Sequence, residues 1–128
     1  MVVKQLVAFL LFDDWKILAE VRKSTDDFGA GAVWIPGGHI EENETSEQAM
    51  FREMKEELGI TPLKFFALCK LPWKKDNKDY SIDYFVCTEW AGEIKNKEAS
   101  QLIWISENEI NKLDEEVDKK AFTKCLKF

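Results

Sequence analysis

Basic charge, long apolar runs, cysteine and proline are all scarce in this chain, and each scarcity excludes something. The 128 residues carry 18 basic against 24 acidic side chains, a net charge of −6. A broad basic footprint for gripping the backbone of duplex nucleic acid is therefore missing, and no duplex partner is expected. Acidity does not exclude a phosphorylated small molecule, because a bound divalent cation reverses the local field. The apolar run Leu6 to Phe12 is only seven residues long, far short of the ~18 that a helical membrane span needs. Asp13-Asp14 follows it, where a secretory signal would place small residues for cleavage. No membrane association and a cytoplasmic location are expected. The three cysteines, Cys69, Cys87 and Cys125, are odd in number and irregularly spaced. They match neither a zinc pattern nor a disulfide framework, as expected of thiols in a reducing compartment. With three prolines and no repeat or low-complexity tract, nothing reads as a linker, and residues 1–128 are expected to form one domain.

What is present is enough apolar side chain for one core: 45% hydrophobic residues, 12% aromatic. Val2 to Phe12 and Trp15 to Val21 are β-rich runs separated by Asp13-Asp14, which predicts a hairpin. Arg22 to Gly31 is a polar, glycine-containing loop of the kind that often binds ligands. Ala32 to Ile35 reads as a short strand ending at a sharp turn through Pro36-Gly37-Gly38. A helix is predicted from Thr45 to Leu58. Thr45 and Gln48 form a capping box, Met50, Met54 and Leu58 share a face, and Gly59 is the left-handed stop. Leu63 to Trp73 and Tyr80 to Trp90 are strands joined by the charged turn Lys74 to Asp79, and Gln101 to Ile105 is a last strand. Ser106 to Leu113 and Glu116 to Lys127 read as helices. The order β-β-β-α-β-β-β-α-α implies an α/β (α+β) protein, a mixed sheet with helices packed against it.

The chemistry concentrates between Gly38 and Ile60. At helical spacing Glu53, Glu56 and Glu57 fall within an arc of roughly 100°. Like charges three and four residues apart destabilise a helix, and the last turn is the negative end of its dipole. Lys55 points away, so only Arg52, four residues before Glu56, shares their side. Such an oxygen-rich cluster is either a solvated acidic face or a site for a hard cation, Mg²⁺ or Mn²⁺, which would also draw in phosphate oxygens.

The neighbouring residues decide between these. Gly38-x5-Glu44-x7-Arg52-Glu53-Met54-x-Glu56-Glu57-x-Gly59-Ile60 carries every fixed position of the Nudix box, G-x5-E-x7-R-E-U-x-E-E-x-G-U with U aliphatic. Seven such identities should coincide by chance in roughly one chain in ten million or fewer. The chain therefore resembles the MutT/Nudix hydrolases, specifically over 23 residues and more loosely over its whole length. The resemblance implies an α/β/α sandwich with the mixed sheet between helices. It also implies a Mg²⁺-dependent attack of water on a nucleoside diphosphate linked to another moiety, with Mn²⁺ as a possible substitute. Carried over by position, Glu53, Glu56 and Glu57 are metal ligands and Arg52 orients the glutamates. Gly37 and Gly38 bring backbone close to metal and phosphates, and Glu44 anchors the loop or reaches a metal through water. Gly59 belongs to the frame of the box.

Other positions stay open. Glu98, in the loop before the last strand, is either a further metal-binding or general-base carboxylate, as in MutT-like members, or an ordinary loop glutamate. Arg22 either reaches substrate phosphate or is a strand-end surface charge. Asp118 either reads a purine edge or is an acidic residue favoured at a helix start. His39, the only histidine, is a loop residue rather than a catalytic base. Trp15, Phe28, Trp34, Trp73, Tyr80, Tyr84 and Trp90 are the aromatics able to stack a base. The expected activity is a MutT-like nucleoside triphosphate pyrophosphohydrolase, with oxidised or non-standard purine nucleotides as candidate substrates, releasing monophosphate and pyrophosphate. The alternatives are an ADP-ribose or nucleotide-sugar pyrophosphatase and, in another class, a non-catalytic nucleotide or RNA-end sensor. Monomer and homodimer are both open.

Overall fold

The structure is a computed structural model and describes residues 2–128. Its elements are β1 (Val3–Asp13), β2 (Lys16–Val21), β3 (Val33–Trp34), β4 (Gly37–His39), α1 (Ser46–Leu58), β5 (Thr61–Lys75), β6 (Lys78–Ala91), β7 (Gln101–Ser106), a 3-10 helix (Glu107–Lys112) and α2 (Glu116–Cys125). Both tight hairpins turn on two residues in the left-handed region, Asp14 and Trp15 (φ 50° and 59°) and Asp76 and Asn77 (φ 52° and 62°). Two consecutive positive φ values match the twist of the strands they join. The first turn thus lies one residue later than Asp13-Asp14, since Asp13 still pairs with Lys16.

β1 organises the sheet. It runs parallel to β6 from Val3 to Leu11 and antiparallel to β4 on its other edge, then passes to β2 through Phe12 and Asp13. β7 and β3 add to β2, and β5 closes the far edge beside β6. Pro62 and Pro72 are tolerated inside β5 because it is an edge strand.

Strict alternation along β1 divides the core into two layers. Val7, Phe9 and Leu11 pack with Leu18, Met50, Met54 and Leu58 under α1. Leu6, Ala8 and Leu10 pack with Ile17, Ala19, Val117, Ala121 and Phe122 under α2. The result is the expected sandwich, a mixed sheet with a helix on each face.

Two local expectations are corrected. Gly37 and Gly38 do not form a sharp turn but pair as β4 with Ala8 and Val7. Gly37 is needed for close approach, because a Cβ there would run into the Val7 carbonyl oxygen. The segment after β7 is a 3-10 helix and not an α-helix. Among the described residues, no helix is long and apolar enough to cross a membrane.

Candidate active site

The predicted cap residues frame α1. The Thr45 hydroxyl accepts from the Gln48 N–H at 3.1 Å, the Gln48 side chain returns a bond to the Thr45 N–H at 2.9 Å, and Gly59 closes the helix at φ 71°. These ends set which helix face meets the sheet, and Arg52 is held at its border. Its guanidinium grips both oxygens of Glu44 at 2.7 and 2.8 Å, reaches Glu53 at 2.8 Å and Glu56 at 3.3 Å, and donates to the His39 carbonyl at 2.9 Å. A forked, planar donor is the side chain able to tie loop and helix together in this way. Arg52, helped by the Glu41 N–H from which Glu44 also accepts, pulls the Glu44 carboxyl down to about 2. Glu44 is thus an anchor of the loop. His39 contributes its backbone carbonyl to the site.

The three helix glutamates meet different surroundings. Glu56 stands exposed at the rim. The Glu53 carboxyl lies against the backbone of Gly38, where a Cβ would strike it. Burial raises the Glu53 pKa, and Arg52 only partly counters that. Glu57 is 3% exposed, and its Oε2 is buried with no hydrogen-bond partner. Its pKa is raised by burial first and then by Glu20, Glu53 and Glu98.

Glu20 is the residue that the sequence reading passed over. It sits in β2, on the face it shares with Leu18, pointing toward α1, and it is 3% exposed. Burial raises its pKa too, against the pull of Arg22. A charged side chain inside the otherwise apolar run Ile17 to Val21 was the available signal. Glu98 is exposed, yet its charge is felt by Glu20, Glu53 and Glu57. Its loop is pinned to the end of α1 by the Lys95 N–H on the Leu58 carbonyl (2.9 Å) and the Lys97 N–H on the Glu57 carbonyl (3.1 Å). Glu20, Glu53, Glu57 and Glu98 therefore act on one another electrostatically, although no three acidic, histidine or cysteine side chains among the described residues converge into a ready-made metal cage.

Beside this field a cavity opens between β4, the Arg22–Gly31 loop and α2. Arg22, Phe28, Trp34, Gly38, Trp73 and Asp118 are among its walls. Phe28, Trp34 and Trp73 meet edge to face with centroids 5.3–5.8 Å apart, and the Arg22 guanidinium lies 5.3 Å over the Trp34 ring. Of the other candidate aromatics, Tyr84 is core and Trp15 is exposed. Tyr80 backs Trp73, and Trp90 stacks on Trp104.

Arg22 is already engaged with the Phe28 carbonyl at 3.3 Å and Glu20 at 3.5 Å, and lies 3.6 Å from Asp26. Asp118 is buried and accepts from the Tyr84 hydroxyl at 2.6 Å and the Ile35 N–H at 3.1 Å. It ties α2 to β6 and to the segment before β4, more than the helix-dipole reading alone implied. Burial outweighs those two bonds and lifts its carboxyl to about 6.

A clamped acidic helix beside the glycines of β4, in a mixed sheet with helices on both faces, is the arrangement of a Nudix-type hydrolase. Residues 4–125 match the profile of the NUDIX domain, and the chain belongs to that family. Hydrolases of this family generally work with a divalent metal ion. Over 85 residues the chain is 36% identical to 8-oxo-dGTP diphosphatase of Escherichia coli (strain K12), covering 66% of each chain. It is 28% identical to CTP pyrophosphohydrolase of the same organism over 105 residues, 82% of this chain and 77% of that one. The match spans less than two thirds of the length of the 8-oxo-dGTP diphosphatases, from 66% for that of E. coli to 55% for that of Buchnera aphidicola. The crystal structure of a MutT NUDIX hydrolase from Burkholderia pseudomallei shares the fold with a TM-score of 0.82. It is 21% identical, and the match covers 97% of this chain and 98% of that one.

Proposed function

We propose that this protein is a cytoplasmic, MutT-like pyrophosphohydrolase, a single domain over residues 1–128, that converts a nucleoside triphosphate to monophosphate and pyrophosphate. The supporting observation is the complete box folded as a unit. Arg52 clamps Glu44, Glu53 and Glu56, and the Glu53 carboxyl lies against Gly38. The donor set suits a hard cation, since it is all oxygen and includes a buried Glu57 oxygen without a hydrogen-bond donor. Glu53, Glu56 and Glu57, with Glu98 and the Gly37 backbone, would hold Mg²⁺, or Mn²⁺ in its place. When bound, the cation neutralises phosphate charge and lowers the pKa of a water molecule.

The chain's own residues do the rest. Arg52 keeps the glutamate side chains aimed, so little reorganisation is needed at the moment of reaction. Gly38 lets the phosphate chain come close to the backbone. Phe28, Trp34 and Trp73 offer ring faces and edges to a base, and Asp118 in the cavity wall offers it a carboxyl edge. Arg22 lines the cavity and also reaches Glu20, and it would turn to the substrate phosphates. Oxidised or non-standard purine triphosphates are the substrate class we favour, in line with the relatives named 8-oxo-dGTP diphosphatase. The likeness to CTP pyrophosphohydrolase makes pyrimidine triphosphates the second class.

A turnover screen with Mg²⁺ tests this, using ordinary and oxidised triphosphates, ADP-ribose, nucleotide sugars and dinucleoside polyphosphates, with products separated by chromatography. We expect monophosphate and pyrophosphate from one triphosphate, with the rate at least about 100-fold lower in Glu53→Gln. AMP and ribose phosphate from ADP-ribose would move the substrate to that class. Bound nucleotide with no product across the panel would make the protein a sensor.

A further inference from the structure

We propose that Glu20, which lies outside the box, is a ligand of the divalent cation together with Glu57. The inference rests on the metal-dependent reading above and extends it to a strand on the opposite wall of the site. Glu20 occupies a position in β2 that an apolar residue would fill without penalty, as Leu18 does two residues earlier under the same helix. Instead a carboxyl is enclosed there, 3% exposed, facing the carboxyl of Glu57, which is equally enclosed.

The cations at hand do not neutralise the pair. Arg52 is committed to Glu44, Glu53 and Glu56. Arg22 reaches Glu20 only at 3.5 Å and shares itself with the Phe28 carbonyl. Glu57 Oε2 is buried without a hydrogen-bond donor. A buried oxygen without a donor is costly in a folded protein unless a further group completes it. Glu20 and Glu57 together present enclosed carboxyl oxygens, one of them without a hydrogen-bond donor. A hard divalent ion fits that requirement, since it accepts one or two protein carboxylates and fills its remaining positions with water and substrate phosphate. The C-terminal turn of α1, the negative end of the helix dipole, adds to the attraction.

Binding of Mn²⁺ alone, without nucleotide, provides the test, by isothermal titration on the full chain and by NMR with ¹³C-labelled glutamate. We expect wild-type protein to bind Mn²⁺ and Glu20→Gln to bind it at least ten-fold more weakly. The cation-free melting temperature of the variant should be unchanged or raised, because a buried like-charge contact is relieved. In wild-type protein, substoichiometric Mn²⁺ should broaden the Glu20 side-chain carboxyl signal as strongly as that of Glu57. This second readout does not depend on how the variant folds. Equal affinity in Glu20→Gln, or a Glu20 signal that stays sharp while that of Glu57 broadens, would overturn the inference and leave the metal-dependent reading standing. Absence of Mn²⁺ binding to wild-type protein would overturn that reading itself.

Discussion

Two neighbouring glycines in the box fail in different ways when a methyl group is added. At Gly38 the Cβ would meet the end of the Glu53 side chain, which can swing away. Gly38→Ala should therefore keep its melting temperature and lose turnover by about 10-fold or more, since groups that orient a metal-site ligand matter at that level. At Gly37 the Cβ would meet the backbone of Val7 and Ala8, which cannot move without disturbing β1. Gly37→Ala should destabilise the fold by about 1–3 kcal/mol in urea titration, as overpacking does. Asp118 supplies a pH prediction. Its carboxyl is raised from 3.8 to about 6 by burial, amid the Tyr84 hydroxyl, the Ile35 N–H and the Glu115 carboxyl. A carboxyl that holds its proton more tightly when folded stabilises the protein at low pH, and that stability is lost as pH rises through its folded value. The advantage of wild type over Asp118→Asn should shrink by on the order of 2 kcal/mol between pH 4 and pH 7. A gap independent of pH would show that Asp118 is ionised throughout.

At the scale of elements, α1 is the segment whose ends matter most, because its rotation aims Glu53, Glu56 and Glu57. Thr45→Ala removes one half of the capping box and should cost about 1 kcal/mol. Gly59→Ala forces a side chain to φ 71° and should cost about 1–2 kcal/mol. Equilibrium unfolding of the two variants and their combination checks both, and near-additive losses are expected because the sites lie at opposite ends of the helix. This helix was legible because its signals are local: a cap residue, its partner three positions on, an apolar stripe and a left-handed stop. β4 was not legible. Gly37, Gly38 and His39 have no strand propensity, and they become a strand only because β1 presents a free edge to them. The turn at Asp14-Trp15 was missed by one residue for a similar reason, since register belongs to the pair of strands.

For the whole molecule, the crowding of Glu20, Glu53, Glu57 and Glu98 predicts a stability that depends on cations. Saturating Mg²⁺, at about 100 times its dissociation constant, should stabilise the folded state by about 2.7 kcal/mol relative to the protein in EDTA. For a chain of this size that is a rise of about 10 °C in melting temperature. Identical melting curves in EDTA and in Mg²⁺ would show that the carboxylates hold no cation without substrate.

The residue types and spacings of the box determined by themselves that Arg52 and three glutamates would share one side of a helix stopped at Gly59, because helix periodicity and capping need no distant partner. The same local rules indicated a mixed sheet with helices packed against it. What only the tertiary structure decided is which carboxylates are enclosed. Glu56 remains in solvent, Glu57 is buried, and Glu20 arrives beside it from a strand 37 residues earlier in the chain. The walls of the cavity are likewise long-range, with Arg22, Trp34, Trp73 and Asp118 brought together from four segments. Burial and charge proximity arise when β2 joins β1 in the sheet and α1 and α2 close on its two faces, and no spacing along a single chain segment encodes that encounter.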